Sequence, residues 1–165
     1  MTKWAWHLAN ANDVKDIVAL AQRHFETEIN EIFTPVPLFY AYNVNKAITE
    51  QSYYSSKGQL IVARNKETYQ LLAYAWLVRG GQTMYAQEEL AEAAFVHMDL
   101  TLSTRTRVCL TEEILDHWIR WCRATKIPVL VSTSIRREQT AFMRIHERKG
   151  FLIRGSIAYK RITNE

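Results

Sequence analysis

The segment Phe95-Val-His-Met-Asp-Leu-Thr-Leu102 constrains the fold more than any other. Apolar residues fall at Val96, Met98, Leu100 and Leu102, with His97, Asp99 and Thr101 between them. A period of two marks a strand with one face turned to a core. A strand needs partners, and several lie nearby. Gln59–Arg64 and Tyr69–Arg79 read as two strands joined by Asn65-Lys-Glu-Thr68, a hairpin that Gly80-Gly81 ends. Lys3 to Leu8 alternates as a first strand, and the β-branched run Ile127–Thr133 reads as a buried one. Phe151 to Ile162 reads as a closing strand or hairpin with Gly155 at a bend. Residues 85–94 fit either a short helical excursion or an extended entry.

Between these strands the period changes. Val14, Ile17, Val18, Ala21 and Phe25 form an amphipathic stripe, with Asn12 as cap and Asp13 in the first turn. Thr34-Pro-Val-Pro37 breaks the chain, and the aromatic-rich stretch Leu38–Tyr54 is helical in its middle. After the polar loop Ser103–Arg107, a helix starts near Thr111 and buries Ile114, Trp118, Ile119 and Cys122. Ser134 caps a last helix reaching Lys149, with Ala141, Phe142 and Ile145 inward and Gly150 just past its end. The order is strand, helix, helix, three strands, helix, strand, helix, strand. Hairpins followed by alternating elements imply an α/β, mixed-sheet fold with helices on both faces.

At 165 residues the chain is the size of a single domain spanning 1–165. Its longest apolar runs fall far short of the ~20 residues needed to cross a bilayer, and the N-terminus carries no signal-peptide pattern. A cytoplasmic protein is the expectation. Cys109 and Cys122 have no partners at metal-ligand spacing, and His7, His24 and His117 form none either, so no metal is expected. The net charge of +4 is concentrated at Arg105/Arg107 and from Arg136 to Lys149, which suits anionic partners. No nucleic-acid motif accompanies it.

The stretch Gln139-Thr-Ala-Phe-Met-Arg-Ile-His-Glu-Arg-Lys-Gly-Phe151 resembles a helix of the GNAT superfamily of N-acetyltransferases, Asn-x-x-Ala-x-x-Leu-Tyr-x-x-x-Gly-Phe. Gly150-Phe151 matches outright; Gln139 takes the Asn place, Ile145 the Leu place and His146 the Tyr place. The element order resembles the family over nearly the whole chain, the residues over about its last third. A likeness to small GNAT-like proteins of tailed bacteriophages is looser, and would place the protein in the host cytoplasm or the virion.

The resemblance implies that acetyl-CoA enters between two splayed parallel strands, Phe95–Leu102 and Ile127–Thr133. Pantetheine amides would pair near Leu100 and Leu102. The pyrophosphate would sit in the following loop, with Thr104, Arg105, Thr106, Arg107 and Val108 at the cofactor and Gln139 nearby; helix N–H groups and arginines suit phosphate. Arg136 and Arg137 would contact a 3′-phosphate or simply flank a helix start. His146 would protonate the leaving thiolate, its ordinary pKa of ~6.5 suiting that task; otherwise it is a histidine stabilised by a helix C-terminus. His97 or Asp99 would deprotonate the amine, or be polar residues on a half-solvated face. Phe39, Tyr40, Tyr42, Tyr53 and Tyr54 would line an acceptor pocket or pack in the core. One departure stands out: the family's Arg/Gln-x-x-Gly-x-Gly/Ala loop corresponds here to Arg105-Thr-Arg-Val-Cys-Leu-Thr111, which has no glycine.

Two functions follow. One is acetyl transfer from acetyl-CoA to the amine of a small molecule or protein. The other is a catalytically degenerate GNAT-like fold acting as a binding or structural, phage-associated protein. Nucleic-acid binding is a third, and a homodimer is compatible with any of them.

Overall fold

A computed structural model describes residues 2–162. Five strands form one sheet in the order β1 (Trp4–Leu8), β2 (Gly58–Asn65), β3 (Leu71–Gly81), β4 (Leu90–Met98) and β5 (Val129–Val131). The first four are antiparallel neighbours, and β5 pairs with β4 in parallel. The helices are α1 (Val14–Glu28), α2 (Pro37–Tyr53), α3 (Thr104–Thr125) and α4 (Thr140–Arg148).

Alternation along β2 and β3 divides the core in two. Leu60, Val62 and Tyr74 face α1 and α2, where they meet Ile17, Ala21, Phe25 and Val44. Ile61, Ala63, Ala73 and Ala75 face α3, meeting Leu110, Ile114, Leu115 and Trp118, with Ile145 arriving from α4. Trp118 and Leu115 are fully buried, and burial of such side chains contributes about 1.5–3 kcal/mol each. The small alanines of β2 and β3 leave room for Trp118.

Local chemistry sets the ends. Asn10, not Asn12, is the first N-cap: its side chain accepts from the Asn12 N–H while Asp13 reaches back to the Asn10 N–H. A short 3-10 turn, Ala11–Asp13, then leads into α1. Asp13 is also bonded by Arg64 of β2, which fixes α1 to the sheet. Pro37 opens α2, where its missing N–H costs nothing. Gly150 ends α4 at φ 85°, and the Phe151 N–H reaches the His146 carbonyl at 3.1 Å.

Four expectations are corrected. The ambiguous residues 85–94 contain the start of β4, and that strand stops at Met98, so Leu100 and Leu102 lie in the following turn. The third helix starts at Thr104, capped by the Ser103 hydroxyl, so Thr104 to Val108 are its first turns rather than a loop. The last helix starts at Thr140 with no side-chain cap, and Ala141 is exposed rather than inward. Residues 151–162 contain no strand. Among the described residues no helix is long and apolar enough to cross a membrane.

Candidate active site between β4 and β5

The two parallel strands pair over three residues only, Leu90–Glu92 with Val129–Val131. β4 then continues to Met98 alone. Its pairing with β3 skips a residue, Trp76 opposing Phe95 and Leu77 opposing Ala93, so Ala94 is bulged. A bulge bends its strand, and this one sits where β4 leaves β5. Past it, β4 carries an edge that no strand covers among the described residues. The Asp99 N–H bonds Leu72 on the β3 side, which turns the carbonyls of Val96 and Met98 to the open edge.

Both carbonyls are capped by side chains. Arg136 donates from Nη2 to the Val96 oxygen at 3.3 Å, and His24 donates from Nε2 to the Met98 oxygen at 2.8 Å. The same guanidinium places Nε 3.2 Å from Glu28 Oε1 and lies over the Phe142 ring. His24 and Glu28 are one turn apart on α1, with Nδ1 and Oε1 separated by 3.5 Å. His24 Nδ1 is buried and has no hydrogen-bond partner.

His97 lies on the α1–α2 face, as its place in the alternation predicts. It is buried, its Nδ1 bonded to the Tyr74 hydroxyl, which in turn bonds the Tyr40 hydroxyl at 2.7 Å. Burial, then the neighbouring His24 and Arg136, push the His97 pKa well down, so the ring is neutral. Burial raises both tyrosines. Of the aromatic group around α2, only Tyr40 is in the core; Phe39, Tyr42, Tyr53 and Tyr54 are exposed.

Sequence spacing gives no hint of a metal group, yet folding brings His24, Glu28 and His97 together, with ligand atoms within 4.8 Å of one another. The imidazoles stack with centroids 4.3 Å apart and planes 10° apart. The in-plane lone pairs of parallel rings do not converge on one ion, and the Arg136 cation already faces Glu28. The arrangement suits a proton better than a metal.

Asp99 is buried and committed to shaping the turn after β4. Oδ1 accepts from the Thr101 N–H and hydroxyl, and Oδ2 from Gln70. Leu100 is exposed on that turn, while Leu102 packs under α3. Thr104 and Arg105 are exposed at the start of α3, and Arg107 is half-buried. The first turn of α3 holds no acidic residue, so two arginines crowd the positive end of its dipole. Val108 forms one wall of a groove of about 670 Å³ whose other wall is α4, through Ala141, Arg144, Ile145, Glu147 and Arg148. Gln139 precedes α4, exposed.

His146 is buried in α4 between Phe142 and Phe151. Nδ1 lies 2.9 Å from the Phe142 carbonyl and Nε2 2.8 Å from the Ser132 hydroxyl. A carbonyl only accepts, so Nδ1 carries the proton and Nε2 accepts from Ser132. Burial lowers its pKa, the Phe142 carbonyl opposing. Ser132 directly follows β5, where the strands have parted. The basic run beyond it is largely neutralised: Arg137 pairs with Glu31, Arg148 with Glu112 and Lys149 with Asp116.

No protein-family model matches the chain, and no curated protein matches it by sequence. Solved structures do. A probable acetyltransferase superposes with a TM-score of 0.71 at 12% identity, over 99% of this chain and 100% of the other. Glucosamine-6-phosphate N-acetyltransferase from Arabidopsis thaliana gives 0.70 at 10% identity, over 98% and 100%. An aminoglycoside N-acetyltransferase in complex with CoA gives 0.71 at 9%, over 96% and 94%. The chain therefore has the fold of the GNAT acetyltransferases. Its structural neighbours include acetyltransferases, one for a sugar phosphate and one for an aminoglycoside among them.

Proposed function

We propose that the protein is an N-acetyltransferase, taking the acetyl group of acetyl-CoA to an amine by direct attack. The observation that carries this reading is the parting of β4 and β5 after three paired residues, with the bulge at Ala94 and, beyond it, a β4 edge met by side chains rather than by a strand. A thioester arm has the length and hydrogen-bonding groups to occupy such an edge in place of a strand.

The residues around the gap fit the cofactor's parts. The phosphates would meet the N-terminus of α3, where Thr104, Arg105, Thr106 and Arg107 supply hydroxyls, N–H groups and charge. Arginines there oppose the helix dipole, a cost of about 0.3–1 kcal/mol each that a bound anion reverses. The groove beside Val108 leads on toward α4. CoA supplies the activated acyl group and a good leaving group. His146 reaches the gap through Ser132: the hydroxyl takes a proton from the attacking amine as it gives one to the departing sulfur, and His146 orients it. His97, joined to Tyr74 and Tyr40, closes the inner end.

A second reading rests on two observations. The segment that matches the family's glycine loop is glycine-free and helical from Thr104, and Arg136 already occupies the β4 edge. In that reading the fold persists as a binding or structural protein without cofactor.

Thermal unfolding with and without acetyl-CoA separates the two. Ligand at a hundredfold its Kd adds about 2.7 kcal/mol, or roughly 5–10 °C for a chain of this size. An unchanged melting point at millimolar acetyl-CoA rules the transferase out. Given turnover, His146→Ala slows transfer while the protein stays folded.

A further inference from the structure

His24 and Glu28, one turn apart on α1, face each other beside the open edge of β4. His24 spends its Nε2–H on the Met98 carbonyl, which leaves Nδ1 as the ring atom turned toward Glu28. Nδ1 is buried and makes no hydrogen bond, with the acceptor Glu28 Oε1 3.5 Å away. Burying a polar atom without a partner is costly, so the pair is built to pass or hold a proton. Glu28 keeps part of its carboxylate in reach of solvent, at 17% side-chain exposure, while His24 has none.

The position is as telling as the chemistry. One guanidinium, Arg136, touches both Glu28 and the Val96 carbonyl. The carboxylate is therefore one such group away from the strand edge where a thioester would lie. The other acidic residue at the gap, Asp99, has three hydrogen bonds holding it to the turn.

We propose that Glu28 is the base of the transfer and that His24, acting through it, is a positioning residue that holds the extracted proton. This rests on the transferase reading above. The acceptor enters as an ammonium and gives one proton to Glu28, which shares it with Nδ1 of His24. The freed amine attacks the thioester carbonyl, the N–C bond forms and the C–S bond breaks. The second amine proton goes to sulfur, giving CoA thiol, and the first returns to solvent through Glu28. The groups facing this pair are His97 from β4, with Tyr74 of β3 and Tyr40 of α2 behind it, and Arg136 from the segment after β5.

The experiment uses the full chain, acetyl-CoA and two probe amines, tyramine and spermidine, with CoA thiol release as the rate and calorimetry for acetyl-CoA binding. Glu28→Gln is expected to lower kcat by about a hundredfold or more with acetyl-CoA affinity within twofold of wild type. Glu28→Asp restores part of the rate, and serves as the test if the glutamine variant does not fold. His24→Asn lowers kcat and displaces the acid limb of its pH profile, which a purely structural residue would leave in place. Retention of more than half of kcat in Glu28→Gln overturns the assignment. So does a wild type that binds acetyl-CoA and acetylates neither amine. A wild type that binds no acetyl-CoA defeats the transferase reading itself, and the assignment with it.

Discussion

Arg136 donates to the carbonyl of Val96, 3.3 Å away, on the part of the β4 edge beyond its pairing with β5. The bond crosses forty residues of sequence and closes the gap that a cofactor arm would need. Glu28 on one side and the Phe142 ring on the other hold the guanidinium there.

Arg136→Ala should therefore open the edge. A single hydrogen bond of this kind contributes about 0.5–1.5 kcal/mol, more when charged, so stability falls slightly while acetyl-CoA affinity rises about tenfold. Calorimetry on the two proteins decides it. Equal or weaker binding by the variant means that Arg136 does not compete with cofactor.

Arg105 offers the opposite trade. It is exposed in the first turn of α3, where the dipole favours negative charge. Arg105→Glu should raise stability by about 0.3–1 kcal/mol and weaken acetyl-CoA binding at low salt by tenfold or more. A variant more stable and equally good at binding would remove Arg105 from the phosphate site.

The two arginines also mark what sequence could and could not give. The stripes of α1 and α3, the hairpin, and the glycine after α4 were legible, because each is a local pattern. The start of α3 was not, because Thr104-Arg-Thr-Arg107 has loop composition; the signal lay in Ser103 as cap and in Leu110, one turn before Ile114. β4 hid its first residues in Glu-Ala-rich sequence that favours helix, overridden by pairing with β3 and β5. Its end was masked because the alternation ran on to Leu102, while Asp99 turned the chain. His97 and His146 stood out from the alternation and the family likeness, and folding buries both. Glu28 and His24 were missed: an i, i+4 pair on a helix is common, and only folding sets it against Met98, His97 and Arg136.

Tyr74 joins Tyr40 to His97 in the interior, its hydroxyl bonded to both. Tyr74→Phe removes one group and leaves two buried polar atoms unpaired. The expected loss is about 1–3 kcal/mol, read from urea unfolding at unchanged m. A loss below about 0.5 kcal/mol would mean that Tyr40 and His97 find other partners.

The two neutral histidines predict how stability responds to acid. Burial holds His97 and His146 below the ordinary value of ~6.5. Above that value the rings are neutral in the folded and unfolded chains alike, and the full stability is present. Below it the unfolded chain takes up protons that the folded one refuses, so stability falls with pH until the folded values are reached. The melting point should therefore decline between roughly pH 7 and 5, before most carboxylates titrate. His97→Gln and His146→Gln lower stability at every pH, through the Tyr74 and Ser132 bonds, yet each should show a shallower decline than the wild type. A decline of the same slope in both variants would place the acid sensitivity elsewhere.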